Sequence, residues 1–201
     1  MSFELMTRMR DAGRSVSFDP NLRPSLWAST QQMIGEINRL AALAHWVLPG
    51  LSEGRLLTGF EDPADIAAFY LDQGAEAVAI KLGPHGAYYR TRLDQGFVAG
   101  VPVATVVDTV GAGDGFAVGM ISALLENHSF ADAVKRANWI GSRAVQSRGD
   151  MEGLPTRSEM SVEFEAAFAS RLAPTGDLQC SHNPCGSGLA REEARTVTEN
   201  F

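Results

Sequence analysis

Hydrophobic and polar positions along the chain follow two alternating periods. Residues 3–12 place apolar side chains at helical spacing and stop at Gly13, which predicts a short amphipathic helix. Ser15–Phe18 reads as a buried strand halted by Asp19-Pro20, with a turn over Asn21–Pro24. A helix is expected over 30–44, then an apolar strand, His45–Leu48, broken by Pro49-Gly50. Ser52 suits the cap of a short helix over 53–58, and Pro63 opens a helix over 63–73 that Gly74 closes. Ala77–Leu82, an apolar run between Gly74 and Gly83, is the clearest strand. Tyr88-Tyr89 and Gly96–Ala99 predict a hairpin, and 101–107 another extended stretch. Helical patterns follow over 113–126, 130–147 and 157–172. Strands alternating with helices imply an α/β layered fold with a largely parallel sheet. From Pro174 the periodicity is lost, and the Gly-, Ser- and Asn-containing remainder is expected to be a poorly ordered tail.

Composition narrows the class. Of 201 residues 45% are hydrophobic and 20% charged, which excludes disorder as the main state. This length supports one domain with a large core, or two small ones. The 24 acidic residues against 17 Lys and Arg give a net charge of −7, which argues against a nucleic-acid binder working through a broad basic face. Local binding of an anionic metabolite by backbone N–H groups and an arginine stays open. No apolar run is long enough to cross a bilayer, and the N-terminus has no signal-peptide core, so no membrane partner is expected and the cytoplasm is the default compartment. Cys180 and Cys185 sit together near the C-terminus, and with His182 they fall short of the four ligands of a structural zinc site.

The chemistry concentrates in Asp108-Thr109-Val110-Gly111-Ala112-Gly113-Asp114-Gly115-Phe116. An apolar strand enters a Gly-X-Gly turn that opens directly into a helix. Small residues let several N–H groups face one space, where the start of the helix adds partial positive charge and makes an anion site. A carboxylate at Asp114 is then placed to take a proton from a hydroxyl while those N–H groups hold the phosphoryl group it attacks. The spacing fits neither of two familiar phosphate loops. Phe116 stands where a dinucleotide fingerprint needs its third Gly, and the chain has no Gly-Lys-Ser/Thr triplet. From these residues alone, a plain Gly-rich turn with a first-turn carboxylate remains an equal alternative.

The longer string decides between them. Asp-Thr-Val-Gly-Ala-Gly-Asp, 108–114, resembles the second signature of the ribokinase-like (PfkB) carbohydrate kinases. In order with it stand Phe18-Asp19-Pro20-Asn21-Leu22-Arg23-Pro24, Leu48-Pro49-Gly50-Leu51-Ser52-Glu53, Ile80-Lys81-Leu82-Gly83-Pro84-His85-Gly86, Gly149-Asp150 and Leu154-Pro155-Thr156-Arg157. The set is most similar to the 2-dehydro-3-deoxygluconate kinase branch and covers residues 1–172.

That resemblance implies a three-layer fold with a central, mostly parallel sheet, and transfer of the γ-phosphoryl of ATP to a sugar hydroxyl. It implies Asp114 as general base, Gly111, Ala112 and Gly113 as the anion hole, and Asp108 and Thr109 as organisers of Mg2+ and phosphates. Asn21, Arg23, Lys81, Leu82, Gly83, Pro84, His85, Gly86 and Asn138 are implied at the nucleotide, and Arg23 and Asp150 at the sugar acid. Read without the family, Arg23 is a surface arginine, Lys81 a strand-end charge, His85 a solvent-facing side chain and Asp150 a loop aspartate. Glu53 matches an acidic residue linked to magnesium, although Gly50 replaces the usual Asn three residues before it. The resemblance also leads one to expect that the first sheet strands, a Gly-Gly sugar motif and a small β-sheet lid lie outside this sequence. The lid is the usual dimer contact, so a homo-oligomer stays possible here but without that contact. Two functions follow: a kinase for a small sugar or sugar acid, or an ATP-binding remnant of one with little turnover. A neutral-sugar kinase of fructokinase or ribokinase type is the alternative within the enzyme class.

Overall fold

The computed structural model describes residues 2–160 together with Phe164. Helix α1 (Ser2–Asp11) leads into β1 (Ser17–Phe18), α2 (Thr30–Ala41), β2 (Trp46–Val47), α3 (Leu51–Thr58), α4 (Pro63–Asp72) and β3 (Ala77–Lys81). Strands β4 (Gly86–Thr91) and β5 (Gln95–Ala99) follow, then helices α5 (Ala112–Leu125), α6 (Phe130–Ala144) and α7 (Arg157–Glu159). The five strands form one sheet in the order β1-β2-β3-β4-β5. Strands β1 to β3 run parallel through helical crossovers, while β3, β4 and β5 form an antiparallel meander. The sheet is therefore mixed, with β3 belonging to both halves.

Alternation along the strands separates the layers. Val47, Val78 and Ile80 pack on one face against Ala41 of α2 and Ile66, Ala67 and Tyr70 of α4. Ala79, Ala87 and Tyr89 face the other way, onto Phe116 and Met120 of α5 and Val134 and Ala137 of α6. Fully burying side chains such as Ile66, Ile80 and Met120, all 0% exposed, contributes roughly 1.5–3 kcal/mol each. A Cβ at Gly119 would stand 2.7 Å from Ala137 Cα, so α5 and α6 meet backbone to backbone. A smaller cluster, Met33, Ile37 and Leu57 with Phe18, Leu22 and Trp27, seats the segment after β1.

Most predicted elements stand within a few residues of their expected bounds, with instructive exceptions. Helix α3 starts at Leu51, and its cap is Gly50 rather than Ser52. The reason is Glu53, whose Oε2 reaches back to accept from Gly50 N at 2.8 Å and satisfies the helix entry. Residues 101–107 form no strand; the chain leaves the sheet after β5 and is next fixed where Val107 N donates to Val145 O at 2.8 Å. Of the helix expected over 157–172, Arg157–Glu159 is described. The tail from residue 173 and the Cys180–Cys185 segment lie outside the described residues.

Candidate active site

Three segments converge just beyond the C-terminal ends of the parallel strands, where open α/β sheets place their ligands. Asp19 follows β1, Pro49-Gly50 follow β2, and Lys81 ends β3. Lys81 Nζ donates to Asp19 Oδ2, and the two side chains are 18% and 20% exposed. Burial raises the Asp19 carboxyl above the usual aspartate range, opposed in part by the Lys81 ammonium. Asp19 Oδ1 is buried and has no hydrogen-bond partner. Glu53 clamps the same region: Oε1 accepts from Leu22 N and Oε2 from Gly50 N, both at 2.8 Å.

The Gly-rich turn is fixed from both sides. Val107 N and Asp108 N both donate to Val145 O, and Asp108 Oδ1 accepts from Val110 N at 3.0 Å. Gly111 has φ +78°, and a Cβ there would lie 2.6 Å from Asp150 O. Both the left-handed backbone and the contact demand glycine. Gly115 N closes the first α5 bond onto Gly111 O at 2.8 Å, so the amides of Gly113 and Asp114 fall in the first turn, where no carbonyl precedes them to accept. A Cβ at Gly113 would stand 3.6 Å from Lys81 Nζ, which sets the ammonium beside that turn. Asp114 is exposed on the same turn.

A cleft of about 590 Å³ opens over the turn. Lys81, Thr109, Ala112 and Gly113 line it together with the apolar side chains of Pro84, Val101, Val103, Val106 and Val145. Its wall is a main-chain contact: a Cβ on Gly86 would meet Val98 O at 2.1 Å, and one on Gly100 would meet Pro84 O at 2.2 Å. Asn138 Nδ2 donates to Val98 O at 3.0 Å and Ala99 O at 3.2 Å, tying α6 to the end of β5.

The structure thus gathers Lys81, Gly83, Pro84, Gly86, Thr109, Ala112, Gly113 and Asn138 around one cleft, with Gly111 and Asp150 in contact beside it. Leu82 and His85 serve the loop through their backbones: Leu82 N donates to Gly86 O and His85 O accepts from Gly100 N, while the His85 side chain is exposed. Arg23 is not among the cleft residues. Its guanidinium is exposed and folds onto its own turn, with Nη1 donating to Asn21 Oδ1 at 2.6 Å and Leu22 O at 3.0 Å. Asn21, at φ +39°, makes that tight turn. Sequence reasoning missed Asp19 as the partner of Lys81, although its place directly after an apolar strand was a signal. It also missed Gly141, Ser142 and Val145, which line the cleft from α6 and the residue after it.

Among the described residues no group of three or more His, Cys, Asp or Glu could hold a metal ion. A magnesium ion carried in by a nucleotide needs only one or two carboxylates, because water and phosphate complete its shell. Of the nearby carboxylates, both Glu53 oxygens and Asp108 Oδ1 already accept backbone N–H groups, whereas Asp19 Oδ1 is unmet. A carboxylate oxygen can accept more than one donor, so Asp108, Glu53 and Asp19 all fit a nucleotide-borne magnesium ion held through water.

Comparison with known proteins agrees with this architecture. Over 165 residues the chain is 54% identical to 2-dehydro-3-deoxygluconokinase of Bacillus subtilis, covering 82% of this chain and 51% of that protein. A crystal structure of a PfkB protein from Polaromonas sp. JS666 superposes with a TM-score of 0.72 at 53% identity, over 80% of this chain and 50% of that one. Aminoimidazole riboside kinase from Salmonella enterica, solved with aminoimidazole riboside and an ATP analogue, superposes with a TM-score of 0.72 at 34% identity, covering 80% of this chain and 56% of that one. The chain thus spans about half the length of the relatives it matches. Residues 1–157 match the model of the pfkB family carbohydrate kinases, and with a ribokinase-like fold behind that match the chain belongs to this family.

Proposed function

We propose that this chain supplies the ATP site and the general base for phosphorylation of a sugar-acid hydroxyl, with 2-dehydro-3-deoxygluconate as the acceptor. The observation that carries it is the first turn of α5, where Ala112 and Gly113 line the cleft with Gly113 beside Lys81, and the exposed Asp114 carboxylate follows on the same turn. Asp114 takes the proton of the acceptor hydroxyl as its oxygen bonds to the γ-phosphorus. The bond from that phosphorus to the bridging oxygen breaks, and ADP leaves with the electron pair. The turn amides and Lys81 balance charge on the transferring group, which is most of what phosphoryl transfer asks of a protein. Magnesium, when bound, would draw charge from the phosphates, with Asp108 and Glu53 as the carboxylates to face it.

The name of the Bacillus subtilis relative favours a sugar acid over a neutral sugar. Arg23 then has a role: released from its own turn, its planar guanidinium can bind a carboxylate through two parallel hydrogen bonds. No helix among the described residues is long and apolar enough to cross a membrane, which supports a reaction in the cytoplasm. A second reading, ATP binding with little turnover, is favoured by the place of Asp114 and Arg23 outside the cleft lining. Calorimetry with magnesium and a non-hydrolysable ATP analogue tests the nucleotide site that both readings share. The expected result is saturable binding with a Kd of about 0.1–1 mM. A folded sample that shows no binding at millimolar analogue would remove the assignment. Phosphate transfer to 2-dehydro-3-deoxygluconate then separates the two readings.

A further inference from the structure

The Gly113 turn, Lys81 and Thr109 account for the charged end of the cleft and leave the rest of its lining without a role. That remainder is main chain at Gly86 and Gly100, valine side chains and the flank of α6, an apolar surface suited to the faces of a flat ring. Two polar side chains stand on the flank one helical turn apart, Asn138 and Ser142. Hydrogen-bond chemistry fixes what each can offer. Asn138 Nδ2 donates to Val98 O and Ala99 O, and because a carbonyl can only accept, the amide cannot be turned the other way. Its Oδ1 therefore points away from β5 as an acceptor. Ser142 Oγ gives its one hydrogen to Trp139 O at 2.7 Å and keeps only lone pairs. Gly141, between them, adds no side chain and lies against the turn, where a Cβ would stand 3.3 Å from Ala112 O. Among the described residues lining the cleft, α6 thus offers acceptors and no side-chain donor.

We propose that Ser142 is a specificity-determining residue of the phosphoryl-donor site: with Asn138 Oδ1 it accepts from the exocyclic amino group of the nucleobase, and so selects an aminopurine such as adenine over the matching oxopurine, hypoxanthine. The inference rests on the kinase reading and deepens it by naming the group that chooses the nucleotide. With the triphosphate over the Gly113 turn, the base lies along the apolar remainder of the cleft with its amino edge toward α6. An amino group brings two hydrogens to two acceptors. A carbonyl oxygen on the same carbon sets lone pairs against lone pairs and leaves all three polar atoms unmet. A purine with only hydrogen there loses the bonds without the repulsion. Affinity therefore falls in the order adenine, purine, hypoxanthine.

The test is calorimetry of the full chain with magnesium and the β,γ-imido triphosphates of adenosine, purine riboside and inosine, which share one sugar and one phosphate chain. In the parent chain the adenosine analogue is expected to bind about tenfold tighter than the inosine analogue, with purine riboside between them. Ser142→Ala removes the acceptor and keeps a good helix former. It is expected to weaken the adenosine analogue about fivefold, leave the purine riboside analogue unchanged and shrink the adenosine-to-inosine ratio to about twofold. A parent chain that binds none of the three overturns the kinase reading and this inference together. Equal binding of the adenosine and inosine analogues overturns this inference alone. So does a ratio unchanged in Ser142→Ala, which gives the choice to other groups, or an equal loss for all three analogues, which marks a merely structural hydroxyl. If Ser142→Ala does not fold, Ser142→Cys, whose sulfur is a weak acceptor, carries the same comparison. Failure of both to fold makes the hydroxyl a structural element and ends the proposal.

Discussion

At the scale of single residues, Asp114 and Gly111 illustrate two kinds of demand on one turn. Asp114 is exposed, so replacing it should cost little stability and much chemistry. Asp114→Asn is expected to lower kcat by about 10²–10⁴, the usual contribution of a positioned base, while affinity for an ATP analogue holds or rises. An unchanged kcat in a phosphate-transfer assay would move the base elsewhere. Gly111→Ala should behave in the opposite order. A methyl group cannot share space with Asp150 O, and the +78° φ adds backbone strain, so thermal and urea melts should show a loss of about 1–3 kcal/mol before any assay is run. The sequence marked both positions, but the glycines alone left a plain turn equally open, and only the longer 108–114 string pointed to the kinase family. Arg23 was legible as chemistry but not as geometry: its guanidinium rests on Asn21 and Leu22, and nothing in Asn-Leu-Arg announces that resting place. If it moves to hold a sugar-acid carboxylate, Arg23→Ala should reduce kcat/KM for the acid by roughly 30- to 1000-fold and spare a neutral sugar such as fructose. An equal fall for both acceptors would reassign Arg23 to the phosphates.

Elements are joined here by side chains that close on backbone. Glu53 is the best case, since one carboxylate caps α3 at Gly50 and holds the turn at Leu22. Glu53→Ala leaves two partly buried N–H groups unmet and should destabilise the fold by about 2–4 kcal/mol, read from urea midpoints. Glu53→Gln, which keeps an acceptor, should recover part of that. Pattern reading chose Ser52 as the cap because a hydroxyl before a helix is the common signal, and it had no means of weighing a carboxylate reaching back from inside the helix. The joint between α5 and α6 is electrostatic as well as apolar. Arg136 Nη1 donates to Glu126 Oε2 at 2.7 Å, and that bond is the main reason the Glu126 carboxyl is held below the ordinary 4.5. A lowered carboxylate stabilises the fold above its unfolded value and loses that contribution as the pH falls through the folded one. Arg136→Met should therefore flatten the acid limb of a stability–pH curve below about pH 5 and leave the neutral region less affected by pH.

For the whole molecule, hydrophobic periodicity was enough to give the layers, because each strand alternates between the α2–α4 face and the α5–α6 face. It gave the β4–β5 hairpin but not the antiparallel pairing of β3 with β4, for apolar runs look alike whether their neighbour runs parallel or antiparallel. Nor could it show the cleft, whose wall depends on Gly86 and Gly100 pressing main chain against main chain across a loop. The bridge from Asp19 to Lys81 joins positions 62 residues apart and spans the strand between them. Contacts of such long sequence separation form late, after the intervening crossovers have closed. Nucleotide affinity would then act as a gauge of completed folding. Gentle denaturant should abolish binding while the β4–β5 hairpin still protects its amides from hydrogen exchange, so competence would be the last property gained in folding and the first one lost.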